Sequence, residues 1–274
     1  MIFYFTARGK RDNMGRQRKG GRRFMEQPKI YRYETVDSTN TVCRALAMEG
    51  APDGTAVIAR QQTAGRGRLG RRFESPPGMG LYLSMLWHPV ASPEGLLPLT
   101  AMASAAAASA LRRVTGAPVA IKWPNDLVLH GKKLAGLLTE TALTGSGGVD
   151  HVVIGLGVNL RQQPSDFSPD VARIATSLAA QGYPVDDAAL ETALTDALRQ
   201  AFRHLCAPET YVDEYRKLCL TLDRRVQILQ TGQQVSALDI DSQYGLVVRH
   251  DTGEVETLRC GEISVRGLYG YAES

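Results

Sequence analysis

Cysteine is scarce: Cys43, Cys206, Cys219 and Cys260 are the only four in 274 residues, and no two form a C-x-x-C pair. That spacing excludes a disulfide framework and a cysteine-based zinc knot, and the four read as small buried hydrophobes of a reducing cytoplasm. Histidine is equally sparse. His88, His130, His151, His204 and His250 show neither H-x-x-x-H nor H-E-x-x-H spacing, so a histidine-built zinc site is excluded. No apolar run reaches the roughly 20 residues of a membrane helix. The longest uncharged stretch, residues 95–111, is mostly alanine, and no membrane span is expected. A P-loop is absent, as is any serine–histidine pairing that would suggest a nucleophilic hydrolase.

Acidic residues are missing where they would matter most. Between Gly65 and Arg72 there are four arginines, three glycines and no acid. Glycine lets a backbone approach a ligand closely, and arginine carries a permanent charge on a planar fork of donors, so the stretch reads as a loop that wraps an anion. Gly65, Gly67 and Gly70 also satisfy G-x-G-x-x-G after an apolar run, residues 55–59. A dinucleotide site needs a helix to start at the third glycine, and Arg71-Arg72-Phe73-Glu74-Ser75-Pro76-Pro77-Gly78 cannot propagate one. The net charge of +4 is a property of the N-terminus. Residues 1–23 hold eight Lys/Arg against Asp12, leaving −3 for the remainder, so the basic balance does not argue that the folded part binds nucleic acid. Residues 1–28 read as a basic disordered tail.

The patterning that follows is mixed. A strand at Ile30–Tyr33 leads to Asp37-Ser38-Thr39-Asn40, whose first three residues are all candidate N-caps for an amphipathic helix with Val42, Ala45 and Leu46 on its inner side. Strands are expected at residues 55–59 and 81–87, and a long alanine-dense helix at Leu96–Val114. Next come a strand from Val119 interrupted by Pro124, a turn at residues 130–133 and a returning strand at Leu134–Glu140. Residues 151–160 are apolar on both faces, as in a central strand. Helices are expected at Asp187–Cys206 and Glu209–Cys219. From Arg224 the texture changes to five short alternating segments separated by glycine turns, which suggests a small SH3-like β-barrel.

Several of these stretches, taken together and in order, carry a resemblance. Ser38-Thr39-Asn40, Gln62-Thr63-Ala64-Gly65-Arg66-Gly67-Arg68, Lys122-Trp123-Pro124-Asn125-Asp126, Lys133-Leu134-Ala135-Gly136 and Gly155-Leu156-Gly157-Val158-Asn159 resemble the biotin protein ligase family. The resemblance implies an α+β fold: a catalytic domain over residues 29–220 related to class II aminoacyl-tRNA synthetases, then the SH3-like domain over 221–274. It implies a two-step reaction in which biotin and ATP form biotinyl-AMP with release of pyrophosphate, and a lysine of a biotin carboxyl carrier protein then takes the biotinyl group. Joining a carboxylate to a phosphate brings two anions together, and a cluster of arginine and lysine cancels that repulsion. Mg²⁺ is expected alongside ATP.

Carried over by position, Ser38, Thr39 and Gln62 would hydrogen-bond the fused rings of biotin with backbone groups near Gly136 and Gly155, Asn40 and Gly65 would belong to the same biotin site, and Arg66, Gly67 and Arg68 would form the loop that closes over the acyl-adenylate. Arg68 and Lys133 would serve both biotin and ATP at the reacting carboxylate and α-phosphate, and are the catalytic candidates. Arg66, Arg71, Lys122, Trp123, Asn125 and Asn159 would complete the ATP site. Asp126 would contribute to the Mg²⁺ site or cap the turn after Pro124, and the sequence leaves both roles open. Trp123 could equally be an ordinary core residue. Where the family often has tryptophan after the basic loop, this chain has Phe73, and a packing change is expected. Fewer than 40 residues precede Ser38, which argues against a DNA-binding domain, and homodimerisation through a sheet edge stays open.

Overall fold

The computed structural model describes residues 28–259 and the backbone of Val265–Gly267. The basic tail and Cys260 lie outside the described residues. Seven strands form one mixed sheet in the order β1-β2-β3-β7-β6-β5-β4. These are β1 (Ile30–Val36), β2 (Ala56–Gln62), β3 (Gly80–Trp87), β4 (Ala120–Lys122), β5 (Asp126–Leu129), β6 (Lys132–Leu143) and β7 (Val149–Asn159). Only β1 and β2 run parallel; every other neighbouring pair is antiparallel. The fold is therefore α+β with a mixed sheet. β7 sits at the centre, as its two-sided apolar pattern requires.

Helices cover both faces. On one face lie α2 (Leu99–Thr115), α4 (Asp187–Arg203) and α5 (Val212–Leu218), with the short α3 (Pro169–Ala172) in the connection after β7. The alanines of α2 allow close approach, and seven of them are buried between sheet and helices (Ala101, Ala103, Ala105, Ala106, Ala107, Ala108 and Ala110). The helical stretch Glu94–Thr115 has the length and apolarity of a membrane span, yet most of it is buried in this core. Gly116, at φ 72°, ends α2 in the left-handed cap that glycine favours. Trp87 at the end of β3 stacks on Phe202 at 4.4 Å between ring centroids, fixing α4 on the sheet.

On the opposite face α1 (Thr39–Met48) packs alone over Val57, Leu86 and Val153. Its buried positions are Thr39, Asn40, Cys43 and Ala47; of the residues expected on the inner side, Val42 and Leu46 pack against this cluster while Ala45 is exposed. Ser38 occupies the N-cap position without making a side-chain cap. The polar triplet is turned into the protein instead.

The interrupted strand expected from Val119 is two strands. The Trp123–Pro124 peptide is cis, and the chain reverses there, so that Ala120 pairs with Val128 and Lys122 with Asp126. The five C-terminal strands are all present: β8 (Arg225–Ile228), β9 (Gln234–Ile240), β10 (Leu246–His250), β11 (Val255–Leu258) and β12 (Val265–Gly267), forming an antiparallel sheet in the order β11-β10-β9-β8-β12. This sheet is bolted to the first. Trp123 Nε1 donates to the Tyr244 carbonyl at 3.0 Å, the Trp123 amide to Thr221 Oγ1 at 3.0 Å, and Tyr215 Oη to the Pro124 carbonyl at 3.0 Å.

Candidate active site

The site forms where α1 begins and the sheet face loses its side chains. Cross-strand partners share a face, so Leu86, Val153 and Glu140 form one row across β3, β7 and β6. The next row is Ser84, Gly155 and Leu138, and the next Tyr82, Gly157, Gly136 and Asp126. Val153 meets α1. Two residues on, a Cβ at Gly155 would lie 2.2 Å from Asn40 Oδ1, and at Gly157 one would lie 2.7 Å from the Phe73 ring. The two glycines let the first turn of α1 and the end of the basic loop rest directly on the central strand. Between them opens a cavity of about 960 Å³.

Ser38, Thr39, Asn40, Gln62, Arg66, Gly67, Arg68, Arg71, Lys122, Trp123, Asn125, Asp126, Lys133, Gly136, Gly155 and Asn159 all line it. Residues spread over more than 120 positions of sequence thus meet around one space. Gly65 does not line it. A Cβ there would lie 2.5 Å from the Phe73 carbonyl oxygen and 2.8 Å from Ser75 Oγ, so this glycine allows the loop to close on itself.

At one end of the cavity the polar groups are neutral and linked. Gln62 Oε1 accepts from the Thr39 amide at 2.9 Å, and Gln62 Nε2 donates to Ser75 Oγ at 3.0 Å. Ser84 Oγ, fully buried, lies 2.7 Å from Thr39 Oγ1 and 2.6 Å from Asn40 Oδ1. At the other end the groups are charged. Lys133 Nζ donates to Asp126 Oδ1 at 2.6 Å, and Arg68 Nη1 to Asn125 Oδ1 at 3.0 Å. Asn125 Nδ2 in turn donates to the Leu137 carbonyl at 2.7 Å. The basic loop is a narrow reversal in which the Gly67 amide donates to Arg71 and the Phe73 amide to Gly65, with the exposed Leu69 at its tip in the left-handed region, φ 56°. No helix follows the third glycine, in keeping with rejection of a dinucleotide site.

Four of the residues singled out have surroundings that the sequence did not disclose. Trp123 is 1% exposed and its indole nitrogen is engaged by Tyr244, so it acts as the core residue joining the two sheets and offers almost no surface to a nucleotide. Arg66 is not an uncompensated charge, because its Nη2 donates to Glu140 Oε2 at 3.0 Å. Asn159 donates to the Thr176 carbonyl at 3.0 Å and holds the segment beyond β7. Cys206 is exposed, whereas Cys43 and Cys219 are buried. Burial pushes the Cys43 thiol up to about 12 and the Cys219 thiol to about 11.

The cavity has a wall that sequence reasoning missed. Phe167, Val171, Arg173, Ile174 and Ala175 line it, and the backbone at 174–176 clasps Lys133: the Lys133 amide donates to Ile174 at 2.7 Å and the Thr176 amide to Lys133 at 2.9 Å. This segment has no motif to advertise it. Ser84 and Glu140 were legible in principle, because counting by twos from Gly136 puts Glu140 on the cavity face of β6. Among the described residues, no three His, Cys, Asp or Glu side chains are grouped to hold a metal. The donor set around Asp126 is one carboxylate already bonded to Lys133, which does not fit a resident metal.

A family model described as the biotin/lipoate A/B protein ligase family matches residues 33–159. The bifunctional ligase/repressor BirA of Bacillus subtilis is 33% identical over 234 residues, 84% of this chain and 71% of that protein. The chain belongs to the biotin protein ligase family. Within that family, the biotin–[acetyl-CoA-carboxylase] ligase of Mycobacterium tuberculosis is 35% identical over 216 residues, 75% of this chain and 77% of that one. A biotin protein ligase from Aquifex aeolicus, solved in complex with biotin and ATP, superposes with a TM-score of 0.74 at 26% identity, covering 87% of this chain and 98% of that one. As a biotin protein ligase, the protein is an enzyme of the ligase class.

Proposed function

We propose that the protein activates biotin with ATP to biotinyl-5′-AMP, releasing pyrophosphate, and transfers the biotinyl group to a specific lysine of a biotin carboxyl carrier protein in the cytoplasm. The observation that carries this reading is the polarity of this cavity, neutral hydrogen-bonding groups at one end and a lysine–arginine cluster at the other. A fused ureido ring suits the first end, at Ser38, Thr39, Asn40 and Gln62. The second suits a carboxylate meeting an α-phosphate. A site whose buried donors and acceptors are satisfied only by a ureido group rejects ligands lacking it, lipoate included.

In the first step a carboxylate oxygen of biotin attacks the α-phosphorus and the bond to pyrophosphate breaks. Lys133, aimed by Asp126 and by the backbone at 174–176, and Arg68, aimed by Asn125, lie where they can neutralise both reacting anions, with Lys122 and Arg71 flanking the phosphates. In the second step the acceptor lysine, as the free amine, attacks the acyl carbon and AMP leaves. The work of the protein is positioning and charge, with no covalent enzyme intermediate. Mg²⁺ travels as the counter-ion of the nucleotide, and no step is assigned to a metal held by the chain itself. The reading includes a class II synthetase-like catalytic domain over 29–220 and SH3-like closure of the C-terminal sheet over 221–274.

The test is mass spectrometry of the purified protein with Mg²⁺ATP and either biotin or lipoate, followed by addition of a carrier domain. Biotinyl-AMP and a labelled carrier lysine are expected. Lipoyl-AMP in its place would move the protein to the lipoate branch, and biotin binding without adenylate would make it a sensor.

A further inference from the structure

We infer that Glu140 is a positioning residue that latches the arginine loop onto the cavity floor through Arg66 and Asn40; its ligand-binding consequence rests on the biotin reading. Glu140 stands on β6, two rows along the same face from Gly136, between the first turn of α1 and the loop. One oxygen, Oε2, accepts from Asn40 Nδ2 at 2.8 Å and from Arg66 Nη2 at 3.0 Å, while Oε1 lies 4.0 Å from Arg44 Nη1. Arg66 also reaches Thr41 Oγ1 at 3.4 Å. The carboxylate side chain is 21% exposed, so these contacts are partly shielded from water, and charge-assisted bonds of this kind are the stronger ones.

Most of the loop's other hydrogen bonds are internal: Gly67 to Arg71, Phe73 to Gly65, and Arg72 Nη2 to the Thr63 carbonyl at 2.9 Å. Its side-chain ties to other elements include Arg68 on Asn125, Phe73 on Gly157, and Arg66 on Thr41 and on Glu140. The first belongs to the reacting end of the cavity. The last fastens the loop to the ring-binding end.

The same carboxylate fixes hydrogen-bond polarity in the pocket. The Asn40 amide nitrogen faces two acceptors, Glu140 Oε2 and the Leu138 carbonyl at 3.4 Å, so Oδ1 must face Ser84. A hydroxyl has one proton, and that of Ser84 goes to Asn40 Oδ1. Thr39 Oγ1, 2.7 Å from Ser84 Oγ and 3.1 Å from Gln62 Oε1, then donates to one of those two.

The experiment is limited trypsin digestion of the full chain, scored as cleavage after Arg71, in wild type, Glu140→Ala, Arg66→Ala, the double variant, and Glu140→Gln, which keeps an acceptor without the charge should the alanine variant not fold. A latch predicts that either alanine substitution speeds cleavage roughly tenfold or more, that the double adds nothing further, and that Glu140→Gln falls between. Dissociation of biotinyl-AMP, followed by gel filtration, should accelerate in the same order. Cleavage of Glu140→Ala within about twofold of wild type would overturn the latch, as would Glu140→Gln cleaving no faster than wild type, or single effects that multiply in the double. Wild-type protein that makes no biotinyl-AMP would sink the biotin reading, while the tryptic cycle would still decide the latch.

Discussion

Lys133 meets Asp126 at 2.6 Å and its backbone is clasped on both sides by the segment at 174–176, so its ammonium is aimed before any ligand arrives. Such preorganised charge typically contributes factors of about 10²–10³ to a step that concentrates negative charge. Lys133→Ala and Arg68→Ala should therefore fold, with a melting temperature near that of wild type, and lose adenylate formation or retention by about that factor. Pyrophosphate release in single-turnover assays measures the formation step, and near-normal activity in either variant would remove that residue from the reacting end. Gly157 makes a different demand. Placing a methyl 2.7 Å from the Phe73 ring forces that ring and the loop behind it to move, so Gly157→Ala should cost about 1–3 kcal/mol in denaturant unfolding and weaken biotin binding as well. Cysteine reactivity separates burial from sequence expectation. At pH 8 an alkylating reagent should modify the exposed Cys206 rapidly and spare Cys43 and Cys219, whose thiols burial holds in the protonated form; peptide mapping reads the order.

The turn between β4 and β5 shows how an element can be legible in outline and misread in detail. The Lys-Trp-Pro-Asn-Asp stretch was recognisable, and the apolar residues either side of it do form strands. What the pattern did not reveal is that the chain reverses at Pro124, because a single interrupted strand and a tight hairpin share the same alternation. Nor could local sequence disclose what holds the reversal, since its partners, Tyr215, Thr221 and Tyr244, lie about 90 to 120 positions later. The inner side of α1 was legible at Val42 and Leu46 but not at its first turn, for a related reason. Thr39 and Asn40 count as polar in a hydrophobic pattern, yet they are buried because Ser84, Gln62 and Glu140 satisfy them. The hairpin's dependence on the C-terminal sheet can be measured. Trp123→Phe removes the donor to the Tyr244 carbonyl together with part of the buried ring, and should cost about 1–3 kcal/mol of unfolding free energy. Adenylate formation should fall alongside, since Asn125 and Asp126 ride on the same turn. A variant as stable as wild type would mean that the indole bond contributes little to joining the sheets.

Across the whole molecule, the elements that could be read from the sequence are those whose signal is periodic: the two-sided β7, the alanine-rich α2 and the five short C-terminal strands. What escaped lies above all in the segment at 167–176, short helix and turns without a motif, whose end at 174–176 is held by backbone pairing with Lys133 and so depends little on residue type. Both buried thiols lie in the interior these elements enclose, Cys43 under α1 and Cys219 at the junction of the sheets, and they couple global stability to pH. Each has a folded pKa raised above the ordinary thiol value of 9.0, to about 12 and about 11. In the unfolded chain both ionise near 9, while in the folded protein they stay neutral. The stability they contribute is therefore fully present below pH 9 and is lost as pH rises through 11 and 12, at no more than about 1.4 kcal/mol per pH unit for each thiol. Thermal melts from pH 8 to 11 should show little change at first and then a decline beginning near 9. Cys43→Ala, which starts lower because it leaves a small void, should decline less steeply than wild type. Parallel slopes for the two proteins would show that the Cys43 thiol is not part of the alkaline transition and would leave it to the buried tyrosines, whose hydroxyls burial also pushes upward at Tyr82 and Tyr244.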